Sequence, residues 1–403
     1  MKKTLKKTCF IILSLASIAS FAVVFTFLFK NVICLNGLKS YKINKTEIPS
    51  WIKKKVNKEL EQFEQIDKST FGAFDKLILE NKVQHLAHFK ISKNKVSGVI
   101  KNKSSRYKKL KAALGKILET NKLGDSDFII YLWDGVHYGQ KNSFLLKEFK
   151  NLGIDIRKIP PIFAFTVNKK AEDRKNFILF PDSLTIDISL FNKLGWVCLN
   201  TKISNANSKS KWESKKDIAF WRGGDAFSHR DYNKRNFAVE LSRKYPKLLD
   251  VKFTLTLKDS KSFFERKLKY AYKFFSIDPW VSFTKYIEHK MLLDLEGNTV
   301  SYPAIYWKLF SNSVVLKQVT NNEIWASDQF IPWLHFVPVK EDLKDLIEKI
   351  NWVKEHDAHA KQIAATSDDF MKKNLMPKHF DMYIYHLLNE YSKRFNHKPK
   401  MNK

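Results

Sequence analysis

Short apolar runs, each ended by glycine, proline or polar residues, are the main pattern along this chain. Runs of this kind predict buried β-strands. They lie at residues 128–132, 162–166, 177–180, 218–221, 248–254, 291–295, 313–316 and 335–339. Most are followed by a glycine turn or a helical pattern. This alternation predicts an α/β fold with a parallel sheet in the second half of the chain and another in the first.

Helical spacing is clearest after the last predicted strand. One helix face is formed by Leu343, Leu346, Ile347, Ile350 and Val353. Their recurrence at 3.6-residue spacing predicts an amphipathic helix. Residues 63–123 also look mostly helical, and helices are expected from there on to about residue 395.

The N-terminus carries an uncharged run at residues 8–29, preceded by four lysines. About 20 apolar residues span a bilayer as a helix, and this run exceeds a typical signal-peptide core. We therefore expect a single-pass membrane anchor that is not cleaved. Lysines flank both ends of the run, so the side of the membrane stays open.

Composition divides the remaining chain. After the anchor at 1–29, the polar, lysine-rich residues 30–60 predict a basic stem. The Asn- and Ser-rich stretch at 200–211 has linker composition and predicts a domain boundary. The expected units are two α/β domains and a basic tail, at 61–205, 206–395 and 396–403.

The charge balance narrows the class of partner. The chain has 72 Lys and Arg against 41 Asp and Glu, a net charge of +31. This charge favours an anionic partner such as a membrane surface, an anionic glycan or nucleic acid. No nucleic-acid-binding module is recognisable, so nucleic acid is not expected. The three cysteines have no paired spacing, which indicates neither a disulfide framework nor a zinc site.

Arg222, Gly223 and Gly224 directly follow the strand at 218–221. Ligands of open α/β sheets bind beyond the carboxyl ends of such strands. Glycines let backbone N–H groups approach an anion, and a guanidinium matches phosphate oxygens. The segment indicates a phosphate site, with a glycine turn beside an exposed arginine as the alternative.

Asp134 follows the strand at 128–132 and is the best candidate base. A half-exposed carboxylate at a strand end is reachable by substrate. His137 and Tyr138 follow within one turn, where they would orient the base or contact a sugar. An ordinary Asp-Gly turn is the alternative.

Residues 297–302 form a small-residue loop between a strand and a helix predicted to begin at Pro303. The free N–H groups at a helix start form an anion site, although an ordinary β–α connection is the alternative. The spacing matches neither the dinucleotide-binding nor the P-loop motif. Asp125 and Asp127 resemble the D-x-D pair that holds a divalent metal in some nucleotide-sugar enzymes. They precede their strand, which indicates a turn.

Seven segments in sequence order carry a resemblance to a known family. They read IIYLWDGV at 129–136, PPIFAFT at 160–166, AFWRGG at 219–224, LSRKYPKLLDVKFT at 241–254, KMLLDLEGNTVSY at 290–302, SNSVVLKQ at 311–318 and PWLHFVPVKEDL at 332–343. In this order the chain resembles glycosyltransferase family 90 over about residues 125–394. That family includes protein O-glucosyltransferases, capsule-associated xylosyltransferases and bacterial lipopolysaccharide-core enzymes.

The resemblance implies a GT-B fold, in which two Rossmann-like domains face a cleft. The acceptor would bind on the 61–205 side and the nucleotide sugar on the 206–395 side. It also implies an inverting hexosyl- or pentosyltransferase that uses a nucleotide-sugar donor, which we expect to be a UDP-sugar. The acceptor would be a hydroxyl of a glycan, a lipopolysaccharide or a protein, and no metal or other cofactor is expected.

The resemblance also assigns residues by position. Asp134 resembles the catalytic base. The implied donor-binding residues are Arg222, Gly223, Gly224, Gly297, Asn298, Thr299, Val300, Ser301, Tyr302 and Lys308. The implied acceptor-side residues are Trp133, His137, Phe165 and Thr166. Family members usually carry an arginine in or just after the small-residue loop, where residues 302–305 of this chain read YPAI. Lys308 is expected to replace its charge.

Two alternatives stay open on the sequence. The first is a metal-dependent glycosyltransferase that uses Asp125 and Asp127. The second is a catalytically degenerate, polybasic membrane protein that binds anionic glycan or lipid.

Overall fold

The structure, a computed structural model, describes most of the chain. The described ranges are 40–80, 82–101, 104–137, 140–187, 196–224, 232–254, 277–278, 281–300 and 303–395. The predicted anchor at 8–29, the tail at 396–403, Tyr138, Ser301 and Tyr302 lie outside these ranges. Within them, no helix is both long enough and apolar enough to cross a bilayer.

The described elements alternate between strands and helices for most of the chain. The helices are α1 Ser50–Leu60, α2 Thr70–Leu79, α3 Ser105–Thr120, α4 Phe144–Asn151, α5 Trp196–Asn207, α6 Tyr232–Lys244, α7 Phe283–Ile287, α8 Ala304–Leu309, α9 Leu346–Glu355, α10 Asp357–Asn374 and α11 Pro377–Phe395. The strands are β1 Leu86–Ser92, β2 Lys95–Val99, β3 Ser126–Tyr131, β4 Ile162–Ala164, β5 Val167–Asn168, β6 Phe177–Leu179, β7 Lys216–Gly223, β8 Leu249–Thr254, β9 Ile277–Asp278, β10 His289–Asp294, β11 Val314–Gln318, β12 Asn322–Glu323 and β13 Val337–Val339.

The first sheet has the strand order β2-β1-β3-β4-β6. Strands β3, β4 and β6 are parallel, and β1 pairs antiparallel with β2 and β3. The β1–β2 hairpin shows that the helical prediction for residues 63–123 was wrong in this part. Lys93 and Asn94 turn the chain with φ of 48° and 58°, the backbone of a two-residue hairpin turn.

The second sheet is parallel throughout, with the order β13-β11-β10-β7-β8-β9. Counted from β7, this is the Rossmann order, in which the direction of strand addition reverses between β7 and β10. Ligands of such sheets bind outside the carboxyl ends of the strands at this switch point. The two α/β sheets confirm the GT-B-like fold class.

The last helix, α11, packs on the first sheet, although the predicted boundaries assigned it to the second domain. Tyr383 Oη donates to the Leu179 carbonyl at 2.8 Å, and Tyr391 Oη donates to the Asp127 carbonyl at 3.0 Å. Both tyrosine side chains are buried. The apolar face of α11 therefore completes the core of the first domain.

Two further boundaries differ from the sequence prediction. Helix α1 lies inside the range assigned to the stem, and Ile52, Val56 and Leu60 are fully buried on one of its faces. Helix α5 spans most of the predicted linker, with Leu199 and Ile203 buried. In both segments apolar residues at helical spacing outweigh the polar composition around them.

A short antiparallel ladder joins the two halves of the molecule. In it, Asn168 of β5 pairs with Asn322 of β12, and Val167 pairs with Glu323. Arg174 adds ion pairs to Glu323 at 2.6 Å and to Glu59 of α1 at 2.9 Å. The ladder follows β4 directly, so it fixes the carboxyl end of β4 against the second half of the chain.

Candidate active site

Asp134 lies in the loop after β3 and is held by Arg106 from the first turn of α3. Arg106 Nη2 donates to Asp134 Oδ1 at 2.6 Å, and Nη1 donates to the Leu132 carbonyl at 2.8 Å. The Asp134 side chain is 22% exposed. The base candidate is therefore accessible and fixed in orientation. The sequence analysis missed Arg106, because it lies 28 residues earlier on a different element.

The loop after β10 reaches across the cleft to the same carboxylate. Asn298 Nδ2 donates to Asp134 Oδ2 at 3.1 Å, and Thr299 Oγ1 donates to the Asp134 carbonyl at 3.2 Å. The Gly297 N–H donates to the Thr299 carbonyl at 3.0 Å, which tightens the loop. Val300 is buried beneath it. The predicted base, Asp134, is thus in direct contact with the small-residue loop after β10, of which the structure describes residues 297–300. We call this loop the donor loop.

Gly135 makes this approach possible. A Cβ atom at this position would lie 2.6 Å from Thr299 Cγ2 and 3.3 Å from Thr166 Cβ. The first distance is shorter than van der Waals contact allows. Glycine is therefore required for close packing between the loop after β3 and the loop after β10, which form the two walls of the cleft. This requirement adds to its role in a turn.

Two buried side-chain oxygens adjoin this contact. Within the described part of the chain, Thr166 Oγ1 and Asn298 Oδ1 have no hydrogen-bond partner. Most buried polar atoms in folded proteins have one, supplied by protein or by ordered water. Both atoms keep an unfilled capacity to accept a hydrogen bond, and a ligand hydroxyl reaches them only if the contact between the two loops opens.

Glu296 anchors the donor loop on its far side. Its carboxylate accepts hydrogen bonds from Thr320 Oγ1 and Asn322 Nδ2, each at 2.8 Å. Burial raises the pKa of Glu296, although the positive charge of Lys317 opposes the shift. Since Asn322 belongs to β12, the loop and the ladder between the two halves form one connected unit.

Arg222 lies at the end of β7, as predicted, but it has a partner that the sequence did not indicate. Its Nη2 contacts both carboxylate oxygens of Asp250, at 2.8 and 2.9 Å. Its side chain is only 4% exposed. The next residue, Gly223, is required because a Cβ there would lie 2.5 Å from the Trp221 ring. The Asp250 carboxylate therefore competes with a phosphate for the Arg222 guanidinium.

Arg235, which the sequence analysis missed, lies at the switch point itself. Its guanidinium donates to three backbone carbonyls, those of Gly224 at 2.6 Å, Glu296 at 2.9 Å and Leu295 at 3.1 Å. It therefore bridges the carboxyl ends of β7 and β10. The sequence could have indicated Arg235, because this arginine lies in the first turn of a helix that follows a glycine-rich strand end.

The structure does not support the donor-binding role expected of Lys308. Its ammonium pairs with Asp294 at 2.9 Å, with side-chain exposures of 3% and 0%. Burial lowers the pKa of Lys308, and the charge of Asp294 opposes that shift. The buried pair keeps this ammonium in the interior, so it cannot replace the arginine missing from the loop.

The acceptor-side residues divide into two groups. Trp133 is 38% exposed, whereas Phe165, Thr166 and His137 are each 1% exposed. His137 Nε2 contacts Asp173 at 2.7 Å, and Nδ1 accepts the Asn168 N–H at 3.1 Å. With both ring nitrogens bonded in the interior, His137 supports the loop, and the prediction that it contacts a sugar was wrong.

Asp125 and Asp127 lie at the start of β3, at the opposite end of that strand from Asp134. Asp125 Oδ1 accepts the Lys93 N–H at 2.9 Å, and Asp127 Oδ1 contacts His88 Nε2 at 3.1 Å. The six-residue strand separates the pair from the cleft by about 20 Å. Their role in this structure is to hold the β1–β2 hairpin.

Comparison with known proteins adds a family match. The model described as Glycosyl transferase family 90 matches residues 56–403. Protein O-glucosyltransferase 2 of Danio rerio is 28% identical over 245 residues, which cover 60% of this chain and 44% of that protein. Protein O-glucosyltransferase 3 of Homo sapiens is 31% identical over 195 residues, which cover 48% of this chain and 36% of that protein. The chain spans less than half the length of these curated relatives.

Solved structures give weaker matches. Anabaena HepE in complex with UDP-glucose is 10% identical, with a TM-score of 0.38 over 71% of this chain and 77% of that chain. A glycosyltransferase from Rickettsia africae ESF-5 is 13% identical, with a TM-score of 0.33 over 48% of this chain and 51% of that chain.

Proposed function

Because this chain belongs to glycosyltransferase family 90, we propose that it is an inverting glycosyltransferase. It transfers a hexosyl or pentosyl unit from a nucleotide sugar, which we take to be a UDP-sugar, to an acceptor hydroxyl. The observation that carries the proposal is the hydrogen bond between Asp134 and Asn298. It joins a base candidate to the loop at the switch point of a Rossmann sheet, where nucleotides bind.

In the proposed reaction, Asp134 accepts the proton of the acceptor hydroxyl. The hydroxyl oxygen attacks the anomeric carbon while the bond from that carbon to the diphosphate breaks on the opposite face. The electron pair of the broken bond leaves with the nucleoside diphosphate. Arg106 and Asn298 orient the carboxylate for this transfer, and Thr166 Oγ1 binds a sugar hydroxyl.

Negative charge develops on the leaving diphosphate and needs preorganised donors. Arg235 supplies a guanidinium at the switch point, beside the backbone N–H groups of Gly224 and Asn298. Arg222 remains the predicted diphosphate ligand, and Asp250 holds its guanidinium in place until the donor binds. With these groups available, the reaction needs neither Lys308 nor a metal ion.

The acceptor belongs to one of three classes: a protein, a glycan or a lipopolysaccharide. The names of the curated relatives favour a protein hydroxyl. The predicted anchor at residues 8–29 and the net charge of +31 favour an acceptor presented at an anionic membrane surface. Neither feature gives a role to nucleic acid.

A panel of nucleotide sugars tests the proposed function. The full-length chain in detergent is heated with millimolar UDP-glucose, UDP-xylose, UDP-galactose or GDP-mannose, and donor hydrolysis is measured in parallel. Ligand at 100 times its Kd stabilises a protein by about 2.7 kcal/mol, so the matching donor should raise the Tm clearly. If none of them stabilises the chain and it binds heparin in a salt-sensitive way, it is a polybasic binding protein.

Asp134→Asn is the decisive variant. It removes the proton acceptor but keeps the side-chain shape, so turnover should fall by about 10²–10⁴-fold. Donor-induced stabilisation should persist, because the donor binds mainly to the second sheet. Turnover equal to that of the wild-type chain would rule out Asp134 as the base. Loss of wild-type activity on adding EDTA would instead indicate the metal-dependent alternative.

A further inference from the structure

A pocket of about 350 Å³ opens in the first domain, and its lining includes Arg106 and Trp133 but not Asp134 itself. Five aliphatic side chains line it, including those of Val83 and Leu132. Polar and aromatic side chains complete the lining: His85, Lys101, Ser104, Ser105, Arg106 and Trp133. Pockets for small ligands are roughly 300–1,000 Å³ and combine apolar walls with a few polar groups. This pocket meets both criteria.

Three stacked side chains connect the pocket to the base. The Trp133 and His85 rings lie 4.3 Å apart with a 27° angle between their planes. The Arg106 guanidinium lies 5.3 Å from the Trp133 ring and also donates to Asp134. A group bound against this wall is therefore one side chain away from the carboxylate of Asp134.

His85 is fixed in an uncommon backbone conformation. Its φ is 62°, in the left-handed region that few non-glycine residues adopt. The Leu132 N–H donates to the His85 carbonyl at 2.7 Å, at the end of the strand that leads to Asp134. Strained residues of this kind are concentrated at ligand sites. Here the strained residue lies in the pocket wall.

The charge state of His85 suits a neutral ligand. Burial and the neighbouring Arg106 lower the pKa of His85 below 6.5, with Asp134 opposing the shift. At neutral pH the imidazole is therefore uncharged, with one nitrogen that donates and one that accepts. Such a ring exchanges hydrogen bonds with hydroxyl groups in both directions.

We propose that this pocket binds a sugar ring of the acceptor, so the acceptor is a glycosylated molecule and not a bare protein side chain. The inference rests on the proposed function and adds the class of acceptor to it. A pyranose has apolar C–H faces, which fit the aliphatic side chains, and a rim of hydroxyls, which fit His85, Ser104 and Ser105. A sugar ring held here lies against Arg106, which also donates to Asp134.

The test measures sugar binding without the donor. Binding of methyl β-D-glucoside, methyl β-D-galactoside, methyl α-D-mannoside and methyl β-D-xyloside to the full-length chain is followed by saturation-transfer difference NMR. The peptide N-acetyl-Gly-Ser-Gly-amide is measured in the same way. We expect at least one glycoside to bind at millimolar concentration and the peptide not to bind.

Two tryptophan substitutions on α3 locate the binding. Ser105 is exposed and lines the pocket, so Ser105→Trp fills the pocket without disturbing the core. Lys111 is exposed on the same helix and does not line it, so Lys111→Trp is the matched control. The first change should weaken glycoside binding at least tenfold, and the second should leave it unchanged. Circular dichroism confirms that both variants fold.

The outcomes separate the two proposals. If no glycoside binds, if Ser105→Trp binds as tightly as the wild-type chain, or if only the peptide shows pocket-dependent binding, the sugar pocket is overturned. Donor stabilisation is measured independently. A chain that binds glycosides in the pocket but is stabilised by no nucleotide sugar supports the sugar site and contradicts the transferase.

Discussion

Gly135 is the residue at which the two walls of the cleft touch. Gly135→Ala places a methyl group 2.6 Å from Thr299 Cγ2, so one wall must shift. Overpacking of this kind costs about 1–3 kcal/mol, and the shift moves Asn298 relative to Asp134. We expect a lower Tm and a loss of turnover, measured by thermal denaturation and donor hydrolysis.

A second substitution checks the cause. Thr299→Ser removes Cγ2, the methyl group in question, while keeping the hydroxyl that donates to the Asp134 carbonyl. The double variant Gly135→Ala/Thr299→Ser should therefore recover most of the lost stability. If the two losses simply add, the clash with Thr299 is not what makes glycine necessary.

Arg106 positions the base through two hydrogen bonds from one guanidinium. Arg106→Gln removes its reach to Asp134, and a misplacement of about 1 Å lowers turnover on the order of 10²-fold. Donor-induced stabilisation should be retained, so the loss appears in kcat, measured by steady-state kinetics. Arg157→Gln, which removes a surface ion pair with an arginine side chain 86% exposed, is the control and should be silent.

Some residues of the candidate site could be predicted from the sequence, and others could not. Asp134 and Asn298 were predictable because each directly follows a parallel strand of one of the two sheets, and ligands of such sheets bind beyond the carboxyl ends of the strands. Arg106 was not, since its helix brings it to Asp134 from 28 residues earlier in the chain. Arg235 was overlooked, although it lies in the first turn of the helix after β7. Lys308 was misassigned because the sequence does not show that Asp294 meets it in the interior.

At the scale of elements, a buried ion pair joins β10 to α8. Asp294→Ala leaves the Lys308 ammonium buried without its carboxylate. Breaking such a pair costs about 3–5 kcal/mol, since the remaining charge is poorly solvated. We expect that loss in the free energy of unfolding, measured by urea denaturation.

The matching double variant separates charge from packing. Asp294→Ala/Lys308→Met removes both charges and keeps an apolar side chain of similar length. It should regain at least half of the stability lost in the single variant. A double variant as unstable as the single one would show that volume, and not the unpaired charge, causes the loss.

Strands and helices were predictable from the sequence where burial requires their residues to be apolar. Strands β3, β7, β10 and β11 each contain a continuous apolar run, so they were recognised within a few residues of their ends. The β1–β2 hairpin was missed because its second strand is largely exposed and lacks such a run. Helix α5 was taken for a linker, because its Asn and Ser residues obscured the buried Leu199 and Ile203.

At the scale of the whole molecule, α11 returns from the second half to complete the first core. His379 lies in its first turn and is 3% exposed. Burial, followed by the charge of Lys378, lowers the pKa of His379 from 6.5 to about 4. The unfolded chain therefore binds a proton at a higher pH than the folded chain does.

The sign of the pH dependence follows from this difference. The neutral imidazole of His379 makes its full contribution to the free energy of unfolding above pH 6.5. This contribution is lost as the pH falls toward about 4. The loss is on the order of 3 kcal/mol, at about 1.4 kcal/mol per pH unit. His379→Gln should flatten the curve of unfolding free energy against pH, whereas His359→Gln, an exposed histidine on α10, should not. Equal slopes for the wild-type chain and His379→Gln would contradict the assignment.

The β5–β12 ladder has a practical consequence for anyone who divides this molecule. Each of its strands has only two residues, and each finds its main-chain partner in the opposite half. A half produced on its own would expose a strand edge that is paired in the whole molecule. Helix α11 would also be absent from the first half, whose core it completes, and in the second half it would lack the first sheet on which it packs. Open edges invite pairing with other chains. Separate expression of either half should therefore give aggregates, and coexpression of both should restore soluble protein.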